Sequence, residues 1–276
     1  MAVSAASLTD RLDAVVRDNR FTIAVVFPLV GAMLLLASGR GWIPPSLDWL
    51  SFNPWLILVG VTVMRSPLIV GLAPVATRRL GVGLIALTAY TYGIEALALA
   101  TGWPYGSFTY EVSLGPTVGG LPIALPILFL PLVFDAYLLA SLRTGKLPGR
   151  WARVGLAVGL VVTLDLVLDP AAVSLGFWRY ADPGLFHEVP WTNVAGWVLS
   201  AAVTVGVVEA TIDRERLRAR VDGCEFLLDD LVSFVVLWGA INLAFGNLAP
   251  AAIAVGVGAA LLTAEGFQTQ GLVGGQ

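Results

Sequence analysis

The stretch RVGLAVGLVVTLDLVLDP, residues 153–170, decides the class of this protein. From Val154 to Leu164 every side chain but Thr163 is apolar or absent, and then two aspartates follow four residues apart, Asp165 and Asp169. At helical spacing they share one face. Such a run suits a membrane helix, and a charge near its middle costs roughly 2.5–3.5 kcal/mol even on a lenient scale, so a carboxylate retained there is a functional candidate. Pro170 is expected to bias Asp169 away from helical geometry.

The rest of the chain has the same character. Of 276 residues, 57% are hydrophobic and 13% charged, and the mean hydropathy is +0.84, which is too apolar for an ordinary soluble domain. Apolar runs mark about eight spans, with seven the other count: 21–39, 54–75, 81–101, 121–142, 153–170, 192–211, 229–245 and 248–264. The expected fold is an all-α polytopic transmembrane bundle in the cell membrane. Residues 1–20, with three Asp and three Arg, read as a retained cytoplasmic segment, residues 21–265 as one membrane domain, and 266–276 as a disordered tail. Basic residues fall before span one and after spans two, four and six, while the opposite face receives Arg40 and Arg179. By the positive-inside rule both termini are cytoplasmic.

Composition also excludes functions. One cysteine and one histidine cannot assemble the usual zinc or copper ligand sets, so no metal site is expected. No basic run for nucleic acid and no nucleotide-binding fingerprint is present. A retinal Schiff base would need a lysine inside a span, and Lys146, the only lysine, lies between spans.

Glu95, in span three, joins Asp165 and Asp169 as a third carboxylate near the outer level, with Tyr92 as its neighbour at helical spacing. Deeper in the membrane, Arg65 and Asp135 lie at similar depth and are expected to form a structural ion pair. The two outer connections, about 101–122 and 169–197, are dense in Gly, Pro and aromatics: Trp103-Pro104-Tyr105-Gly106, Tyr110, Phe177-Trp178-Arg179-Tyr180, Pro190-Trp191-Thr192-Asn193, Trp197. Aromatics with polar tips suit the membrane interface, but so dense a run exceeds what a connection needs.

These two blocks, spanning residues 80–200, resemble the membrane carotenoid hydratases of the CruF type, and within them the archaeal enzymes of bacterioruberin synthesis. The resemblance rests on Glu95, residues 101–106, Tyr110, Leu114-Gly115, Asp165 to Pro170, Trp178, Pro190, Asn193, Gly196 and Trp197. It implies addition of water to a terminal C=C bond of an acyclic carotenoid, of C50 length, giving a tertiary alcohol. No cofactor is implied, and the partners implied are carotenoid, water and membrane lipid, with other carotenoid-synthesis enzymes as candidates. One departure is span four, which is rich in Leu and Pro around the acidic Asp135.

The chemistry matches the residues. Hydrating an isopropylidene end needs a proton for the less substituted carbon, a shielded tertiary cation and an aimed water. A carboxyl group in an apolar site stays protonated more readily and can donate; a better hydrated one can hold water; aromatic faces stabilise a cation. Glu95 or Asp165 is the expected acid and Asp169 the expected base. Tyr92, Tyr105, Tyr110, Trp178, Asn193 and Trp197 are the expected contacts to the end group. Two alternatives stand beside this one: an ion-coupled transporter, which would also use buried carboxylates and broken helices, and a carotenoid-binding protein without catalysis. Elsewhere His187 reads as an exposed loop residue, Cys224 as an ordinary thiol, residues 209–230 as a solvated helical extension, and Asn242 as an interhelical hydrogen-bonding group.

Overall fold

The computed structural model describes residues 5–143, 149–264, 267–269 and 272. Helix α1 (Ala5–Asp18) precedes a π-helical turn, Thr22–Val26, that runs into α2 (Phe27–Gly39). Then follow α3 (Pro54–Leu72), α4 (Arg78–Thr101), α5 (Leu125–Arg143), α6 (Arg150–Leu175), α7 (Trp191–Thr211), α8 (Arg214–Gly223), α9 (Asp229–Phe245) and α10 (Leu248–Leu262). Among the described residues, six helices are long and apolar enough to cross a membrane: Thr22–Gly39, Pro54–Val75, Arg78–Thr101, Leu125–Arg143, Arg150–Leu175 and Trp191–Thr211. Their outer faces carry bare apolar side chains, Ile85 being 73% exposed, as lipid-facing helices do. The chain is a membrane protein. The expected spans seven and eight are α9 and α10, of 17 and 15 residues, about 25 and 22 Å long against a hydrocarbon layer of ~30 Å.

Local sequence sets the helix ends. Asn53 caps α3, its Oδ1 accepting from the Trp55 and Leu56 amides at 3.0 and 3.2 Å, with Pro54 at the first helical position. Thr77 caps α4 through Leu80 N at 3.1 Å, and left-handed Gly102 stops it at φ 75°. Helix α6 does not end at Pro170, as expected, but continues to Leu175. The carbonyls around the proline are served from neighbouring helices: Asn242 Nδ2 donates to Val167 O at 2.8 Å and Asn247 Nδ2 to Pro170 O at 3.4 Å. Asn242 is thus the interhelical bond its position suggested.

Helix α6 is central and packs on α5, α7, α9 and α10, while α3 reaches α5 and α9 and α4 reaches α5 and α7. The connections from α4 to α5 and from α6 to α7 form short strands that the all-helical reading did not contain. Strand β1 (Phe108–Tyr110) pairs antiparallel with β4 (Trp178–Tyr180), Phe108 opposite Tyr180 and Tyr110 opposite Trp178. Between them, β2 (Thr117–Val118) and β3 (Leu121–Pro122) close a hairpin whose two-residue turn, Gly119-Gly120, has positive φ at both positions, the backbone that such a tight turn requires.

Residues 209–230 are not uniformly solvated, which corrects the reading from charge pattern. Helix α8 is largely exposed, but Glu209 is buried, accepting from Arg153 at 2.6 and 3.0 Å and from the Tyr137 hydroxyl at 2.6 Å. Asp229 is buried against Arg20, which donates to it at 2.7 and 2.9 Å. Alternating signs along one segment looked like a wet helix because the partners lie on α5, α6 and the N-terminal segment. Cys224 is a buried free thiol. In the expected tail, 266, 270, 271 and 273–276 lie outside the described residues, whereas Phe267 packs on the core and Gln268 O accepts from Arg20 at 2.8 Å.

Candidate active site

The paired strands lie across the end of the bundle at which α4 and α6 finish and α7 begins. Phe108 and Tyr110 alternate with Thr109, and Trp178 and Tyr180 with Arg179, so all four aromatics of the ribbon project from one face. Each tyrosine meets a carboxylate below. The Tyr110 hydroxyl donates to Glu95 Oε1, and the Tyr180 hydroxyl donates to Asp169 Oδ2 at 2.7 Å. Burial, and then the adjacent carboxyls, push both phenols well above their ordinary values, so they remain donors.

Asn193, in the first turn of α7, donates through Nδ2 to Asp169 Oδ2 at 2.6 Å and to Asp165 Oδ2 at 3.2 Å. Tyr180 and Asn193 thus converge on one oxygen of Asp169, Oδ2, and among the described residues none donates to Oδ1. Asp165 lies one helical turn away, fully buried, with Oδ1 unpartnered among the described residues.

Below the ribbon is a cavity of about 230 Å³ whose wall is overwhelmingly apolar. Glu95, Asp169, Tyr105, Tyr110, Trp178, Tyr180, Asn193 and Trp197 all line it; Asp165 and Tyr92 do not. Tyr92 instead donates its hydroxyl to Ile123 O at 2.9 Å. Trp197 stacks on Phe129 at 5.2 Å between centroids and sits 6.1 Å from Tyr105. Tyr105 shares a hydrogen bond with Ser200 at 2.6 Å. A side chain at Gly196 would meet the Tyr105 ring at 2.4 Å, so glycine there is what lets the Tyr105 loop seat on α7.

Tyr180 and Ser200 were not among the candidates from sequence. Tyr180 had a signal: Phe-Thr-Tyr and Trp-Arg-Tyr alternate with period two, the pattern of short strands with one aromatic face. Ser200 had none, since a serine in an apolar helix more often bonds its own backbone.

Arg65 of α3 also lines the cavity. The expected pairing with Asp135 is not the direct contact formed. Arg65 Nη1 donates to Asp230 Oδ1 at 2.6 Å, because α9 presents its first turn to α3, a proximity invisible in sequence. Asp135 stands beside this pair, fully buried, with its carboxyl in hydrogen-bonding contact with that of Asp230. His187 lies in the outer loop at positive φ, away from the cavity wall. No group of three or more His, Cys, Asp and Glu able to hold a metal ion is found among the described residues.

A family described as carotenoid biosynthesis protein matches residues 52–261. The bisanhydrobacterioruberin hydratase of Haloarcula japonica is 51% identical over 261 residues, which cover 94% of this chain and 88% of that protein. No solved structure matches.

Proposed function

The chain belongs to the carotenoid biosynthesis protein family, and from that premise we propose that it is a carotenoid hydratase that adds water across a terminal C=C bond of an acyclic C50 carotenoid resembling bisanhydrobacterioruberin. The observation that carries the mechanism is two carboxyl groups, Glu95 and Asp169, each held by a tyrosine from one aromatic ribbon and both facing one apolar cavity.

In this reading Glu95 donates its proton to the less substituted alkene carbon, and the π pair forms the new C–H bond. The Tyr110 hydroxyl already donates to Glu95 Oε1 and stabilises the carboxylate left behind. The positive charge collects on the tertiary carbon, against the aromatic faces of Trp178, Trp197 and Phe108. Asp169 has Tyr180 and Asn193 on Oδ2, and its Oδ1 accepts from a water that attacks the cation. The water's surplus proton goes to Asp169, the C–O bond forms, and the product is a tertiary alcohol. Proton exchange from Asp169 back to Glu95 resets the site, so hydration consumes no reductant and no organic cofactor. Asp165 supports Asn193 from behind rather than meeting substrate.

A cavity of about 230 Å³ is below the ~300–1,000 Å³ of sites that enclose a drug-sized ligand. It suits the end of a long polyene whose remainder lies in lipid and enters laterally between helices. The inferred topology is eight segments with both termini on the cytoplasmic face of the cell membrane and the ribbon outside, following the arginine distribution. Other enzymes of carotenoid synthesis are candidate neighbours.

The test is turnover by reconstituted protein in H₂¹⁸O. Expected is one ¹⁸O per hydrated end, lost in Glu95→Gln and Asp169→Asn. Wild-type protein that binds carotenoid without labelling it would instead fit a pigment-binding protein, and proton flux in proteoliposomes would fit a transporter.

A further inference from the structure

A tertiary cation on a hydrocarbon chain has two fates. Water captures it, or a neighbouring carbon loses a proton and an alkene returns. The outcome depends on where a water lone pair points. A single acceptor holds one hydrogen of a water and leaves the molecule free to turn about that bond, whereas two acceptors hold both hydrogens and aim the lone pairs.

Asn193 offers the second acceptor. Its Nδ2 carries two hydrogens, and Nδ2 donates to two carboxyls, Asp169 Oδ2 at 2.6 Å and Asp165 Oδ2 at 3.2 Å. Its carbonyl, Oδ1, accepts from none of the described residues and is not among the fully enclosed atoms left without a partner. Asn193 lines the cavity, so this oxygen opens on it. Asp169 lines the same cavity, and both bonds it accepts fall on Oδ2, which leaves its Oδ1. Two uncommitted acceptors, on side chains already joined by a hydrogen bond, thus belong to one otherwise apolar wall.

Asp165 accounts for the way the amide faces. It does not line the cavity, it is fully buried, and its Oδ1 has no partner among the described residues, which makes it a costly group to keep. What it provides is an acceptor for the second N–H of Asn193. Turning the amide over would set its carbonyl against carboxyl oxygens of both aspartates, acceptor against acceptor. We propose that Asn193 is a catalytic residue whose carbonyl, together with Asp169 Oδ1, holds both hydrogens of the attacking water, and that Asp165 is the positioning residue that locks the amide. This rests on the hydratase reading and adds the element that decides between alcohol and alkene. As the C–O bond forms, the hydrogen held by Asp169 passes to that carboxylate, and the hydrogen held by Asn193 stays as the hydroxyl of the alcohol.

The experiment runs turnover of an acyclic carotenoid in D₂O, with the protein in nanodiscs, and reads two products by mass spectrometry at low conversion: alcohol, and alkene that has gained deuterium on carbon. Labelled alkene records a cation that formed and then lost a proton instead of meeting water. Wild-type protein is expected to give alcohol with little labelled alkene. Asn193→Ala is expected to raise the ratio of labelled alkene to alcohol about tenfold, as for loss of one hydrogen bond. Asp165→Leu is expected to raise it likewise, and Asp165→Asn, whose side-chain carbonyl can accept the same N–H, to bring it back toward the wild-type value. A ratio that Asn193→Ala leaves unchanged overturns the water-holding role, and so does loss of both products in that variant, which assigns Asn193 to protonation or to the fold. A ratio that Asp165→Leu does not raise, or that Asp165→Asn raises as much, overturns the lock. If wild-type protein forms neither product, the hydratase reading falls and this role falls with it.

Discussion

At the scale of single residues, the proposed hydration rests on which oxygen of each carboxyl is already engaged. Tyr180 and Asn193 hold Asp169 through Oδ2, and Tyr110 holds Glu95 through Oε1. Glu95→Gln keeps the shape but removes the transferable proton, and is expected to lower hydration at least ~100-fold, as for loss of a general acid. Tyr180→Phe keeps Asp169 and removes one donor; turnover is expected to fall about tenfold with KM little changed, because the aromatic body remains. Steady-state rates against carotenoid concentration check both. The three outer carboxylates were legible in sequence because charge inside hydrocarbon is conspicuous. The choice between Glu95 and Asp165 as acid stayed open in the sequence, because which carboxylate meets a cavity depends on packing between helices, and in the fold Glu95 lines the cavity and Asp165 does not.

At the scale of elements, the ribbon and α6 decide the geometry. Gly196 is where α7 lets the Tyr105 loop approach. Gly196→Ala is expected to cost about 1–3 kcal/mol, as overpacking does, and to disturb Tyr105 and Trp197 together, read as a lowered unfolding temperature in detergent. Asn242→Leu removes the bond to Val167 O and is expected to cost about 0.6–1.7 kcal/mol, the range for interhelical bonds in membranes, measured the same way. Pro170 shows why element ends were hard to read. Proline argues for a helix boundary, yet neighbouring asparagines 72 and 77 residues further on serve the carbonyls near it, and α6 continues. The caps at Asn53, Thr77 and Gly102 are set by residues beside the helix ends they close, whereas the β1–β4 pairing joins segments about 70 residues apart.

At the scale of the whole molecule, the arrangement is an apolar bundle with ionic groups at several levels: Glu95 and Asp169 under the ribbon, Arg65 on the cavity wall with Asp230 and Asp135 behind it, and Arg20–Asp229 and Arg153–Glu209 beyond. The apolar runs predicted the six long helices well, because hydropathy is a sum over neighbours in sequence. They could not predict which charges pair, because Arg65 and Asp230 are 165 positions apart. Sidedness can be tested by cysteine labelling: Glu111→Cys is expected to react with an impermeant maleimide from outside intact cells, and Arg218→Cys only in inverted vesicles. The native Cys224 should react slowly in either, since burial raises its thiol above the usual value and leaves little thiolate at neutral pH.

The central claim is that Glu95 and Asp169 together hydrate a carotenoid end group. Its most direct measurement is the mass of the pigment in a host that accumulates the unhydrated acyclic carotenoid, with wild-type protein, Glu95→Gln and Asp169→Asn expressed to equal levels in the membrane. The account predicts a gain of one water per processed end with the wild type and unchanged pigment with either variant. Unchanged pigment with the wild type, or full hydration by both variants, would contradict it.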